Sequence, residues 1–458
     1  MTTPLVSLQA PKDVDLDYID RELREIWQTY SGVGDGLTAT RASTFSFLIY
    51  EPEATQPLLA LLGFYTGPVD GIGGPRTTSA IKAAQKSYGL EVTGLSSPKL
   101  LTKLRAEFEI KQAKGKIDLA DLASVKQYSP DIEGAGIADA IASINPCRII
   151  TLCPTTGKDE GVKAQVSAYC PVNKRSANSL ICCEYITVTG VSSAFERVGG
   201  VISELMIPEL PKFMWWKAGI DEDYPLFQRL LSECDRLIVD SSTFVRPEEE
   251  LLKIGKLLDK DIPLIDLNWA RLSAWKELTA EAFDPPERRS AIWEVDQVTI
   301  DYEKGNPSQA LMYLGWLASR LNWQPVEYSY EAGDYNITTV KLINPEGKEI
   351  QAELAGVPIA DWGEVLGDLI SLKLTSTNLD ADCCTVLCSE TTGCMRMEAG
   401  GGAQSCRIQQ VTSLADQSTE TILSQQLQRW GKDVLYQESM VITTQILELW
   451  LTYHLSST

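Results

Sequence analysis

The stretch KFMWWKAGIDEDYPLFQRLLSECDRLIVDSSTFVRPEEELLKIGKLL (212–258) decides the fold class. Lys212–Trp216 is a short apolar run, and Leu226–Cys234 follows as a helix. Arg236–Asp240 reads as a strand and Glu248–Leu258 as another helix. Strands that alternate with helices predict a sheet covered by helices. Outward to the N-terminal side the same alternation holds: a helix at Ile137–Ile144, a strand at Arg148–Cys153, strands near Gln165–Tyr169 and Leu180–Thr189, and a helix at Ala194–Met206.

Both ends of the chain read differently. Residues 13–30 place Ile19, Leu23, Ile26 and Tyr30 at helical spacing, with acids in the first turn where the helix dipole favours them. The opening D-V-D-L-D is not a calcium loop, because Tyr18 stands where a Gly is needed and Arg24 where a bidentate Glu is needed. Gly32, Gly34 and Gly36 miss the dinucleotide fingerprint and lead into a strand at Thr44–Tyr50, so they read as a loop. Past 286 the pattern is a strand at Trp293–Tyr302 and a helix at Ser308–Leu321. Strands at Val326–Tyr330, Asn336–Ile343, Ile350–Leu354 and Ser371–Thr377 come next, then a cysteine-rich hairpin at 383–397 and helices at about 417–430 and 439–453. Strands bunched between helices predict a separate α+β domain.

Composition excludes several functions. Of 458 residues, 41 are Lys or Arg and 62 Asp or Glu, a net charge of −21 that repels nucleic acid and anionic membrane. The one histidine, His454, lies near the C-terminal end, which removes Ser-His-Asp, Cys-His and paired-His zinc chemistry. No P-loop, nucleophile elbow or C-x-x-C is present. Ser96-Ser97-Pro98-Lys99 fits S-x-x-K, but it reads as a helix start with Ser97 as cap and Pro98 in the first turn. No catalytic residue, metal ligand or cofactor site is expected. The opening MTTPLVSLQAPKDVD has no basic or apolar leader character, and no apolar stretch nears the roughly 18 residues of a membrane span, so the expected compartment is the cytoplasm.

Residues 54–108 read as an inserted module of three helices. Leu58–Leu62 supply the first, Ile81, Ala84 and Tyr88 mark the second, and Leu100, Leu101, Leu104 and Phe108 stripe the third. The segment LLGFYTGPVDGIGGPRTTSAIKAAQKSYGLEVTG, with its Gly/Asp/Pro turn at 67–75, resembles a peptidoglycan-binding-like module. A charged stretch (114–134), whose lysines lack aromatic partners, ties it to the main body of the chain.

The cysteines cluster late. Cys383, Cys384, Cys388, Cys394 and Cys406 fall within 24 residues. With SETTG (389–393) as the hairpin connection, Cys388 and Cys394 are expected to face each other near disulfide distance. Closing so short a loop adds only about 2 kcal/mol, which suits a reversible thiol switch. Buried, inert thiols are the competing reading.

In PLIDLNWARLSAWKELTAEAFDPP (263–286), Asp266 is placed to cap a helix carrying Trp269, Leu272 and Leu278, with Arg271 and Trp275 elsewhere on its circumference. Two tryptophans and an arginine in seven residues are typical of interface hot spots, and core packing of the tryptophans is the alternative. DLNWARLSAWKEL, with DRLIVDSS (235–242), PCRIITL (146–152) and GWLASRLNW (315–323), resembles the OpcA family of glucose-6-phosphate dehydrogenase assembly proteins over about 14–53 and 128–453. Asp266, Asn268, Trp269 and Arg271 match its signature.

The resemblance implies a non-catalytic partner that binds the glucose-6-phosphate dehydrogenase oligomer and raises its activity. It also implies thioredoxin-linked redox control, which the cysteine cluster would fit. The expected architecture is a mixed α/β N-terminal domain (1–53 and 115–286) carrying the helical insert (54–108), then a C-terminal α+β domain (287–458). The alternatives are a cell-wall glycan-binding protein and a histidine-independent α/β enzyme.

Overall fold

The structure, a computed structural model, describes residues 5–30, 38–41, 43–65, 75–113, 146–156, 158–171, 179–358, 365, 367–378, 380–381, 383–390, 394–401, 405–413, 419–429 and 431–457. The glycine loop at 32–36, most of the 67–75 turn, the charged stretch 114–134, the helix expected at 137–144 and the 391–393 turn lie outside them. The chain divides into two compact units: the first is Met1–Val239 with Ile262–Ile265 and Leu423–Gln428, and the second is Asp240–Asp261, Asp266–Ile422 and Arg429–Thr458.

Among the described residues, the first unit is built on nine strands: β1 (Leu5–Val14), β2 (Thr38–Arg41), β3 (Ser46–Tyr50), β4 (Arg148–Thr155), β5 (Lys163–Pro171), β6 (Ser179–Val191), β7 (Lys212–Trp216), β8 (Arg236–Val239) and β9 (Leu264–Asp266). Their order is β1-β5-β6-β4-β3-β7-β8-β9, with β2 beside β6. From β6 through β4, β3, β7 and β8 the strands are parallel, whereas β5 runs antiparallel to both β1 and β6. Phe47, Leu48, Ile149, Ile150, Phe213 and Met214 are buried, as central parallel strands require. Helices α5 (Ser192–Glu204) and α6 (Pro225–Glu233) fall where the periodicity places them.

One expectation is corrected at the N-terminus. Helix α1 spans only Ile19–Tyr30, because residues 5–14 form edge strand β1 against β5. The acids at 13–17 therefore lie in the strand end and a 3-10 turn, and α1 buries Ile19, Leu23, Ile26 and Trp27.

The insert has three helices, α2 (Thr55–Leu61), α3 (Pro75–Ser87) and α4 (Pro98–Ala113), around a core of Leu58, Leu59, Ile81, Ala84, Leu100 and Leu104. Ser97 caps α4, its hydroxyl accepting from Leu100 N at 3.3 Å.

The second unit contains an eight-stranded sheet: β10 (Gln297–Glu303), β11 (Gln324–Glu331), β12 (Asn336–Ile343), β13 (Glu349–Val357), β14 (Leu369–Thr375), β15 (Thr385–Glu390), β16 (Cys394–Gly401) and β17 (Ser405–Ser413). The order is β11-β12-β13-β10-β14-β15-β16-β17, and every pair is antiparallel except β10 with β13. Its helices are α7 (Pro247–Asp259), α8 (Leu267–Arg271), α9 (Ser273–Phe283), α10 (Ser308–Leu321), the first turn of α11 (Thr419–Gln426), whose residues from Leu423 on are counted with the first unit, and α12 (Val434–Ser457).

The second unit therefore begins earlier than the expected boundary at 287. Helices α7, α8 and α9 belong to it because they pack on its own elements. Gly255 of α7 abuts Thr444 of α12, and Arg288, just past α9, donates to Thr385 Oγ1 of β15 at 3.1 Å. Gly315 of α10 lets α12 approach closely, with Ser439 Oγ donating to Met312 O at 2.7 Å beside it. Among the described residues, no helix is long and apolar enough to cross a membrane.

Candidate functional site

The two motifs DRLIVDSS and DLNWARL meet inside the second unit. Asp266 stands just before α8 with extended backbone, and its Oδ1 accepts from Asn268 N at 2.9 Å and from Ser241 N at 3.0 Å. The expected helix cap is thus also a tie to the other motif. Arg271 ends α8 and donates from Nη1 to Asp240 Oδ1 at 2.8 Å and from Nη2 to Asp240 Oδ2 at 2.9 Å. This is the bidentate geometry that a planar guanidinium offers a carboxylate.

The network continues into α10. Asn268 Nδ2 donates to Ser241 Oγ at 3.1 Å, and Gln309 Nε2 donates to Asn268 Oδ1 at 2.8 Å and to Asp368 Oδ1 at 2.5 Å. Asn306 Nδ2 donates to the carbonyls of Ser241 and Ser242 at 2.9 and 3.0 Å, while its Oδ1 accepts from Ser308 N to start α10. Tyr436 Oη donates to Asp266 Oδ2 at 3.4 Å from α12.

One arginine thus sits among three carboxylates, Asp240 and Asp266 buried and Asp368 half-buried, and their acidities diverge. Burial pushes Asp240 up, but the Arg271 guanidinium and the Ser242 hydroxyl and N–H outweigh it and hold it below the usual carboxylate range. Burial and the neighbouring Asp240 charge raise Asp266 to about 6. Burial also raises Asp368 to about 6, against the pull of Arg271 and Gln309. At the end of β10, burial and Asp368 push Glu303 up to about 8.

Chemically, this arrangement ties the start of α8, the start of α10 and α12 together through buried polar contacts. Asp266, Asn268, Trp269, Arg271 and Trp275 are all at most 3% exposed, so none offers a contact surface. The hot-spot reading of the tryptophans gives way to the packing one, because both rings lie in the interior. Trp269 Nε1 donates to Asp433 Oδ2 at 2.9 Å, its ring packs against Tyr436, and the Lys276 ammonium lies 3.2 Å above it. Asp240, Gln309, Asn306 and Asp368 escape sequence reasoning. The signal present in the sequence is an acid ending an apolar strand, and an N-P-S-Q helix start whose polar residues precede the apolar run 310–318.

The cysteines are distributed along the sheet. Cys383 is buried ahead of β15, and burial pushes its thiol up to about 11. Cys384 and Cys388 are half-buried. Cys394 opens β16 opposite Glu390, and Cys388 stands opposite Arg396 and Ser371. The direct opposition of Cys388 and Cys394 is therefore corrected: the strands extend further toward the turn than SETTG (389–393) as a five-residue loop allowed, which offsets the two positions by two residues. Cys406 stands on β17 opposite Gly400. Among the described residues, no group of three or more His, Cys, Asp or Glu is placed to hold a metal ion.

In the first unit, the carboxyl ends of β3, β4 and β7 form the place where open α/β sheets receive ligands, since the strand order reverses at β3. Here that place is packed. The Tyr50 ring stacks on Trp216 at 3.8 Å, and Lys217 Nζ pairs with Glu51 Oε1 at 2.6 Å with both side chains at most 9% exposed. Glu53 then clamps the insert to the sheet: it accepts from Thr55 Oγ1 at 2.7 Å, Ser96 Oγ at 3.0 Å and Thr156 N at 3.0 Å.

A curated relative from Synechocystis, described as "Putative OxPP cycle protein OpcA", is 62% identical over 97% of this chain and 94% of its own length. The chain belongs to the OpcA family of glucose-6-phosphate dehydrogenase assembly proteins. Relatives of the same description from Nostoc punctiforme and Synechococcus elongatus are 55% and 49% identical, over 98% and 96% of this chain and 96% and 97% of theirs. The family's two domain models, "Glucose-6-phosphate dehydrogenase subunit N-terminal domain" and its C-terminal counterpart, match 138–256 and 262–440. A "Putative peptidoglycan binding domain" model matches 51–104, in agreement with the inserted module. Among solved structures, an oxidoreductase from Sinorhizobium meliloti is matched at a TM-score of 0.33 and 10% identity, over 56% of this chain and 73% of that one. An aldose-aldose oxidoreductase from Caulobacter crescentus is matched at 0.33 and 15%, over 58% and 82%.

Proposed function

We propose that this chain is a non-catalytic activator that binds glucose-6-phosphate dehydrogenase and stabilises its active oligomer. The observation that carries the reading is the pair of family models described as dehydrogenase subunit domains, which match 138–256 and 262–440. Two features support a role without chemistry of its own. The carboxyl-end crevice is filled by Tyr50, Trp216 and the Glu51–Lys217 pair, and Asp240, Asp266 and Arg271 are each at most 3% exposed. Activation then comes from binding the active arrangement of the dehydrogenase more tightly than the inactive one, since only differential affinity shifts such an equilibrium.

Thiol control belongs to the same proposal, with a thioredoxin as reductant and the 383–406 cysteines as its targets. The hairpin register supports it in one respect. Because Cys394 stands opposite Glu390, a Cys388–Cys394 disulfide requires the hairpin to shift, so oxidation changes the shape of the β15–β16 hairpin.

The reading is tested by light scattering on mixtures of this chain with the dehydrogenase. A complex in which the dehydrogenase oligomer is larger or longer-lived supports it. Independent migration of the two proteins at micromolar concentration, under both reducing and oxidising conditions, contradicts it.

A further inference from the structure

The eight-stranded sheet has two unlike faces. Val298, Ile300, Val340, Leu354, Leu372 and Leu387 turn to one side and are fully buried, and α10 lies against β10 and β13. Their alternates are half-buried or exposed, and mostly polar. Strand register aligns Ser329, Thr339, Glu353, Thr299, Lys373 and Val386 in one row across six strands. The adjacent row runs Asp301, Ser371, Cys388, Arg396.

Three observations say what covers this face. First, its size: eight strands about 4.8 Å apart and about seven residues long at ~3.3 Å each cover roughly 800–900 Å², the per-partner area of a standard specific interface. Second, its charge. Lys341 pairs with Glu327 and Arg396 with Glu398, which leaves Asp301, Glu331, Glu349 and Glu353 against Lys373 among the described side chains of the face. A second copy would set two acidic faces together on chains already carrying −21 each, so the complement is a different protein with a basic surface. Third, the C-terminal domain model, 262–440, contains the whole sheet.

We propose that this polar sheet face is the docking surface for the dehydrogenase, through a basic patch on the dehydrogenase, with Cys388 inside the contact. The inference rests on the partner reading above and adds the surface to it. It places the thiol whose oxidation would shift the hairpin at the interface, so redox state acts on binding directly.

The test uses the full-length chain and the dehydrogenase. Alkylation of Cys388, followed by mass spectrometry of its peptide, is expected to slow at least five-fold in the complex. The double reversal Glu349→Lys with Glu353→Lys is expected to weaken binding at least ten-fold while leaving the thermal transition of the free chain in place. A complex that forms with Cys388 alkylated at its free rate and with the reversal binding normally overturns the surface and leaves the partner reading standing. Absence of any complex overturns the partner reading, and this surface with it. Self-association that protects Cys388 without the dehydrogenase assigns the face to a second copy and overturns the proposal.

Discussion

Arg271 grips both oxygens of Asp240 from 31 residues away, at 2.8 and 2.9 Å, with each side chain at most 2% exposed. The pair joins Asp240 to the end of α8 within the second unit, so the stretches DRLIVDSS and DLNWARL meet in one buried contact. Asp266 and Asp368 lie near enough to Arg271 to feel its charge, which makes the arginine the common counter-ion of three carboxylates.

Removing the arginine should therefore cost far more than removing Asp240. Arg271→Leu leaves several buried carboxylates without their cation, and about 3–5 kcal/mol of stability is expected to go. Asp240→Asn keeps Arg271 beside Asp266 and Asp368 and should cost clearly less. Urea unfolding checks the order: the midpoint should fall further for Arg271→Leu, with an unchanged slope.

The raised carboxylates give the fold an unusual pH response. Asp266 and Asp368 titrate at about 6 in the fold, against 3.8 in the unfolded chain, and Glu303 at about 8 against 4.5. A carboxylate with a raised folded pKa holds its proton in the fold where the unfolded chain has lost it. Its contribution is thus greatest below about pH 4, declines as pH rises through the folded value, and is constant above it. Asp240, held low by Arg271, works oppositely and loses stability as pH falls below the usual carboxylate range. Unfolding free energy should accordingly fall from pH 5 to pH 8. Asp368→Asn should flatten that slope and stabilise the chain at pH 7 by about 1–3 kcal/mol, with Gln309 still donating to the amide oxygen. An unfolding free energy that rises over the same range would refute the assignment.

Gly315 sits where α10 meets α12. A Cβ there would collide with Thr443 Oγ1 and would come within 2.6 Å of the Ser439 carbonyl oxygen. Alanine should gain about 1 kcal/mol of helix propensity and lose more through overpacking, for a net cost of about 1–2 kcal/mol. Calorimetry should show a lower melting temperature for Gly315→Ala, and Thr443→Ala in the same chain should recover part of it.

The hairpin makes a separable prediction. If Cys388 and Cys394 form the regulatory disulfide, oxidation must move the strands out of the register that sets Cys394 against Glu390. Amide exchange across 385–401 should then speed up on oxidation, and Cys388→Ser should abolish the change. Equal exchange in both redox states would remove these two cysteines from the switch.

Much of the fold is legible in the sequence because burial leaves a trace there. The central strands at 148–153, 212–216 and 236–240 carry the apolar stretches 149–150, 213–216 and 237–239, and the three insert helices keep their stripes at helical spacing. Strand β1 leaves little trace, because an edge strand carrying Pro11, Lys12 and Asp13 has no apolar periodicity to show. The hairpin offset hides in the turn: moving two residues between loop and strand changes which cysteine faces what, and composition does not fix that count. Asp266 is readable as a cap from its position alone. The Arg271–Asp240 pair is not, since partners in tertiary contact 31 residues apart share no local pattern.

The central claim is that this chain raises the activity of another enzyme by binding it. The measurement that tests it most directly is the rate of glucose 6-phosphate oxidation by the dehydrogenase, with and without this chain, each protein pre-treated with dithiothreitol or with an oxidant. The rate is expected to rise with added chain, saturate as the complex fills and differ between the two thiol states. A rate unchanged by any amount of the chain, in either thiol state, would contradict it.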